Sequence, residues 1–195
     1  MTSYTTTAAV KTYIGTSKAT DDALLATLIP RACQRIDTYC QRRFDTRDEV
    51  RVFDAVTCID GQTLTVDDDL QAVTTITNGD GTTLDANDFV LLPANLTPKF
   101  AIKLLSSSGK TWTYETDPEE AISVEASWGF VAHNTPPDDI IHAAVRLTAW
   151  LYHQREAPFE TTAMPGLGAI TVPSDMPPDI QALLDPYVRT GVGGV

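Results

Sequence analysis

The feature that most constrains this chain is a change of texture on either side of its middle. Apolar residues recur at three- and four-residue steps through Leu24, Leu25, Leu28, Ala32, Ile36 and Tyr39, the spacing that lays one stripe along a helix. The spacing returns at Ile140, Ile141, Ala144, Val145, Thr148, Leu151 and Tyr152. Between them runs a series of short β-rich stretches punctuated by turn residues. Neither helical segment can bury its stripe alone, so each needs the other, with the strands as an insertion. The pattern predicts an α+β fold: a mainly helical bundle core with an inserted antiparallel β-sheet, small and sandwich- or barrel-like, between the second and third helices. The expected boundaries are 1–49 for the N-terminal helical half, 50–131 for the β region, 132–156 for the long helix completing the core, and 157–195 for an extended loop, short helix and flexible tail.

Local signals fix the elements. Thr5-Thr6-Thr7 and Gly15 bracket a short helix with a hydroxyl cap and a glycine stop. Thr20-Asp21-Asp22 reads as the cap of a longer helix, which Pro30 should kink or split. In the middle, Asn78-Gly79-Asp80-Gly81 is the strongest hairpin signal. Asp67-Asp68-Asp69 reads as a turn. The stretches 73–77, 89–92, 101–105 and 121–126 read as strands, in a set of five or six. Pro136-Pro137 opens the last long helix. Residues 157–177 form a loop long enough to be an interaction arm, and Pro177-Pro178 restarts a short helix.

Charge is where the sequence becomes specific. The net charge is -12 and the hydrophobic fraction 43%, enough apolar material for a core and the wrong sign for nonspecific nucleic-acid binding by the whole surface. Residues 1–49 carry seven Lys/Arg and six Asp/Glu, residues 50–131 four and thirteen, and residues 132–195 three and seven. Arg31, Arg35, Arg42, Arg43 and Arg47 form the one basic cluster, at the end of the first helical half. Either it meets an acidic partner or polyanion, or it is a solvated helix end. Identical copies could pair basic helix against acidic sheet, a head-to-tail contact that closes into a ring.

Catalytic and metal chemistry find no foothold. His142 and His153 lie about 16 Å apart along one helix, too far to share a metal, and His133 has no ligand-spaced neighbour. The 78–88 segment fails the calcium-loop template, and solvated turns account for the acidic runs. Cys33 and Cys40 sit mid-helix, too far apart to bridge, and with Cys58 read as buried thiols of a reducing compartment. There is no nucleophile elbow and no phosphate-binding glycine loop. No secretory signal is apparent, and no apolar run reaches the length of a membrane span.

Several segments, taken in order, resemble one family. They are 10–15 (VKTYIG), 21–25 with Leu28-Ile29, 36–44 (IDTYCQRRF), Trp128-Gly129-Phe130, 136–140 (PPDDI) with 143–156, and 177–187 (PPDIQALLDPY). Together they look like the head–tail connector proteins of tailed bacteriophages, also called head-completion or adaptor proteins. The resemblance implies a structural, non-enzymatic virion protein with no cofactor. It implies a homo-oligomeric ring, commonly a dodecamer, docked beneath the portal protein at the head–tail interface after assembly in the host cytoplasm. Such a ring extends the DNA channel, passes DNA without sequence specificity, and offers a surface to the tail or a stopper (tail-completion) protein; no membrane is involved. On this reading the five arginines lie at a subunit interface or face the channel. Phe159, Met164, Leu167, Ile170, Leu183, Leu184 and Tyr187 belong to an arm that contacts the portal or a neighbour. An alternative of another class is a tail-side module whose sheet recognises carbohydrate or a host surface through Trp112, Tyr114 and Trp128.

Overall fold

Helix α1 (Thr7–Ile14) begins where the Thr6 hydroxyl accepts the Ala9 N–H at 3.2 Å and ends at Gly15, whose φ of 71° suits a residue without Cβ. In a computed structural model of the chain, residues 3–131, 135–154 and 176–189 are described. They divide into two units. The helical unit is made of residues up to Gln41 together with the stretch from Pro136 to Arg189. The sheet unit runs from Arg42 to Thr135. The architecture is α+β.

In the helical unit, a 3-10 turn at Ala19–Asp21 leads into α2 (Asp22–Cys40), which buries Leu25, Leu28, Ile29, Ala32, Cys33, Ile36 and Cys40. The expected cap is replaced. Asp21 makes no capping bond; its carboxylate is buried and accepts the Tyr152 hydroxyl at 2.9 Å. Pro30 does not split α2. It lies on the exposed face, as does Ala26, whose carbonyl loses its intrahelical donor.

Helix α3 (Asp138–Gln154) has Asp138 and Asp139 in its first turn, where the helix dipole favours them. It turns Ile140, Ala143, Ala144, Leu147, Thr148 and Tyr152 inward. It packs on α1, on α2 and on α4 (Pro178–Leu184), which buries Ile180 and Leu184 and continues into a 3-10 turn at Asp185–Tyr187. Tyr4 adds a tie across the unit: its N–H points at Cys33 Sγ and its hydroxyl donates to Asp37 at 2.6 Å.

The sheet unit has seven strands, all paired antiparallel: β1 (Arg47–Phe53), β2 (Ile59–Asp60), β3 (Thr63–Thr77), β4 (Thr83–Leu84), β5 (Phe89–Leu92), β6 (Lys99–Leu104) and β7 (Ile122–Trp128). The pairing path is β1-β7-β3-β6-β5, with β2 and β4 pairing β3. Strand β3 is the spine. Its first half pairs β6 and its second half pairs β7, and the change falls at Leu70, which faces both Lys99 and Trp128. Asp67-Asp68-Asp69 therefore lies inside a strand and is not a turn. It occupies the register shift between Thr65 and Leu70, where a bulge tolerates consecutive polar residues and arginines neutralise them. The Asn78–Thr82 turn joins β3 to β4, closed by Asn78 N–H to Thr82 O at 2.8 Å. Leu64, Leu70, Ile76, Ile102, Leu104, Ile122, Val124 and Trp128 form the core, each with no measurable exposure.

Candidate functional site

The arginines that read as one cluster belong to two different units. Arg42, Arg43 and Arg47 belong to the sheet unit and are engaged there. Arg42 Nε lies 3.6 Å from the almost buried Asp69 carboxylate, and its guanidinium carbon stands 4.8 Å above the Phe130 ring. Arg43 meets Asp45 at 3.2 Å. Arg47 reaches Asp45, Glu49 and Asp68. Arg51 completes the set, bonded to Asp67 and Asp68 at 2.8 Å each and stacked 4.7 Å over Trp128. These guanidinium groups answer the acidic run of their own unit. The acids of this run are paired with arginine, and among the described residues no cluster of three or more His, Cys, Asp or Glu is placed to hold a metal ion.

Arg31 and Arg35 are different. They lie four residues apart on α2, a spacing that puts both on one face, and neither forms an ion pair among the described residues. Arg31 is exposed, and Arg35 is half-buried with its guanidinium 5.6 Å over the Trp150 ring. Both line an open groove of about 710 Å³ in the helical unit, walled by Leu28, Tyr39, Leu151 and Met176. The groove combines two cations that have no ion pair among the described residues with apolar walls, the chemistry of a site for an acidic segment that also carries apolar side chains. Its Tyr39 rim is fixed: the hydroxyl donates to Asp185 at 2.5 Å. That bond, and to a lesser degree desolvation, raises the Tyr39 pKa above its usual 10.0.

The C-terminal residues assigned to an arm separate as well. Leu184 is fully buried against its own unit, Leu183 is half-buried, and the Tyr187 hydroxyl donates to Asp139 at 3.1 Å. Burial, followed by that bond, raises the Tyr187 pKa. Helix α4 packs on α3 and α2, and Tyr187 ties the following turn to α3. Arg146 pairs with Asp179 beside them. Phe159, Met164, Leu167 and Ile170 lie outside the described residues, as does His133. His142 and His153 are exposed, each edge-on to a tyrosine ring, Tyr13 and Tyr152 respectively.

The three aromatics of the sheet do not form a platform. Trp128 has no exposed surface and donates its indole N–H to Glu49 O at 3.0 Å. Trp112 packs against the core and donates to Gln62 O at 2.9 Å. Tyr114 alone stands out, 47% exposed. It opens an exposed stretch that contains Glu115, Asp117, Glu119 and Glu120. None of these four carboxylates has an ion pair among the described residues. The loop is held by Ala55 N–H to Pro118 O at 2.7 Å and Glu120 N–H to Asp54 at 2.9 Å. Val56, 60% exposed, lies in the same connection as Ala55. The sequence showed these acids only as part of a diffuse excess. Their concentration beside exposed apolar groups required the fold.

No helix among the described residues is long and apolar enough to cross a membrane. No protein-family model and no curated protein matches the chain. Among solved structures it is similar to a chain of the "Neck of empty GTA particle computed with C6 symmetry", at 16% identity and a TM-score of 0.60, over 96% of this chain and 91% of that one. It is also similar to a chain of the "Virion of native gene transfer agent (GTA) particle", at 20% identity and a TM-score of 0.51, over 90% and 81%. At these identities the likeness is one of fold, and at that level it agrees with the connector resemblance read from the sequence. The chain has the fold of a protein found in the neck of a gene transfer agent particle.

Proposed function

We propose that this chain is a non-enzymatic structural protein of the neck of a tailed, phage-like particle, where copies form the connector ring between portal and tail. The observation that carries the reading is the fold match along 96% of the chain to a neck protein whose structure was computed with C6 symmetry. A ring of six or twelve copies is compatible with that symmetry. Ring, portal docking and tail attachment are supported by the construction of the chain: a helical unit in which Arg31 and Arg35 have no ion pair among the described residues, and a sheet unit whose acids pair with Arg42, Arg43, Arg47 and Arg51. DNA would pass through the ring without sequence readout, since a net charge of -12 disfavours a tight grip on phosphate.

The test is a particle lacking this chain. Expected are complete heads with no tails attached, and recovery when the purified chain is added back. Normally tailed, infectious or transferring particles in its absence would overturn the proposal.

A further inference from the structure

We infer that the Arg31–Arg35 groove receives the acidic loop at residues 115–120 of a second copy of this chain. The inference rests on the ring reading and supplies its subunit contact. Three observations support it. First, Arg31 and Arg35 share a groove and have no carboxylate partner among the described residues, whereas Arg42, Arg43, Arg47, Arg51 and Arg146 each have one. Second, Glu115, Asp117, Glu119 and Glu120 are four exposed carboxylates within six residues, likewise without a cation. Third, the two surfaces match in their apolar character. Leu28, Leu151 and Met176 wall the groove, and Tyr114 and Val56 are exposed at 47% and 60% where the loop is anchored.

The loop is suited to insertion rather than to collapse. Its backbone is held at two points, by Pro118 O and by the Glu120 N–H, so little ordering entropy is lost on docking. Charge complementarity of this kind sets register and encounter rate, and the apolar walls supply the burial. The groove belongs to the helical unit and the loop to the sheet unit, so they are two different patches of one chain. A contact between them is therefore heterologous, and repetition yields a ring or a filament rather than a closed pair.

The experiment is a charge swap read by light-scattering mass and electron microscopy of purified chain across a concentration series. The Arg31→Glu/Arg35→Glu variant and the Asp117→Lys/Glu119→Lys variant should each weaken self-association at least about tenfold, as like charges face each other. The chain carrying all four substitutions should recover assembly. Circular dichroism checks that each variant is folded. Wild-type rings with no response to either reversal overturn the contact and leave the neck reading standing. Loss in both variants without recovery in the combined chain also overturns it. So does recovery of the groove variant by Glu156→Lys/Glu160→Lys, which would assign the groove to the chain's own 155–175 segment. Loss of DNA retention alone, with rings intact, would assign the groove to nucleic acid and overturn it too. A wild-type chain that stays monomeric at every concentration, alone and with a portal protein, overturns contact and ring reading together.

Discussion

Tyr152 donates its hydroxyl to Asp21 Oδ2 at 2.9 Å, across 131 residues of sequence and with both groups buried. The bond ties the last turn of α3 to the entry of α2, and it explains why Asp21 is not spent on capping its own helix. Removing the hydroxyl leaves a buried carboxylate short of a donor. Tyr152→Phe should destabilise the helical unit by about 1–3 kcal/mol. Urea unfolding followed by circular dichroism checks it. The Tyr152→Phe/Asp21→Asn pair should cost less than the sum of the singles, because the two act through one bond.

Gly129 has a φ of 127°, and a Cβ built there would lie 1.8 Å from the Asp45 carbonyl oxygen. That atom is backbone and cannot swing aside. Gly129→Ala should therefore cost more than about 3 kcal/mol, combining strain with a forced shift of the Asp45–Thr46 backbone. Gly81, with a φ of 77° but open space around it, should lose only about 1 kcal/mol on the same change. Thermal unfolding of the two variants, side by side, separates steric conflict from backbone preference.

Arg42 and Arg31 should respond oppositely to truncation. Arg42→Ala withdraws a cation from the nearly buried Asp69 and a guanidinium from the Phe130 face, and should lower stability by about 1–3 kcal/mol. Arg31→Ala removes an exposed side chain with no ion pair among the described residues, and should leave monomer stability within about 0.5 kcal/mol. An assembly defect in Arg42→Ala would then come with a lowered melting temperature. One in Arg31→Ala would not.

The cysteines should differ in reactivity. Cys33 is fully buried, and burial raises its thiol pKa above 9.0, so little thiolate is available. Cys40 is buried too, whereas Cys58 is half-exposed. Iodoacetamide at neutral pH should label Cys58 first, and the other two only on unfolding. Mass spectrometry of digested protein reads the order.

Alkaline pH should loosen α4. The Tyr39 and Tyr187 hydroxyls are donors to Asp185 and Asp139, and both pKa values are raised above 10.0. A group with a raised folded pKa holds its proton more tightly when folded. Its contribution is fully present below the unfolded value and is lost as pH rises through the folded one. Stability of the helical unit should lose these contributions only above about pH 10. The Tyr39→Phe/Tyr187→Phe chain should show a shallower alkaline decline in a series of urea unfolding curves.

Much of the fold was legible because its periodicity is ordinary. Of the stripes, Leu25, Leu28 and Ile36, and Ile140, Ala144 and Thr148, are buried where the helical period puts them, while Ile141, Val145 and Leu151 at the margin are only half-buried. The Asn78-Gly79 turn is where its residue types require it. Strand β1 was not legible because its alternation is inverted. Val50 and Val52 are 59% and 50% exposed, while Arg47, Glu49 and Arg51 lie on the face that carries Trp128. A hydrophobic pattern cannot reveal a strand whose inward face carries Arg47, Glu49 and Arg51 and only one apolar side chain, Phe53. The same long-range pairing hid the division of the arginines, since nothing local to Arg42 or Arg47 names Asp69 or Asp68 as partner. Arg31 and Arg35 were found by sequence, but only the pairing of the other arginines singles them out.

The insertion of one unit within the other sets an order of events during synthesis. Strand β1 must wait for β7, with Asp48 and Ser127 bonded 79 residues apart, but all its partners lie within the sheet unit. Helices α1 and α2 must wait for α3 and α4, which leave the ribosome only after the whole sheet has been made. At translation rates of roughly 5–20 residues per second, that delay is on the order of ten seconds. The sheet can fold in that interval while the Arg31–Arg35 groove still lacks the walls that Leu151 and Met176 provide. A nascent chain would then expose its acidic loop before it has a groove to receive one, so two unfinished chains could not pair through this contact, whereas a finished copy could already receive the loop.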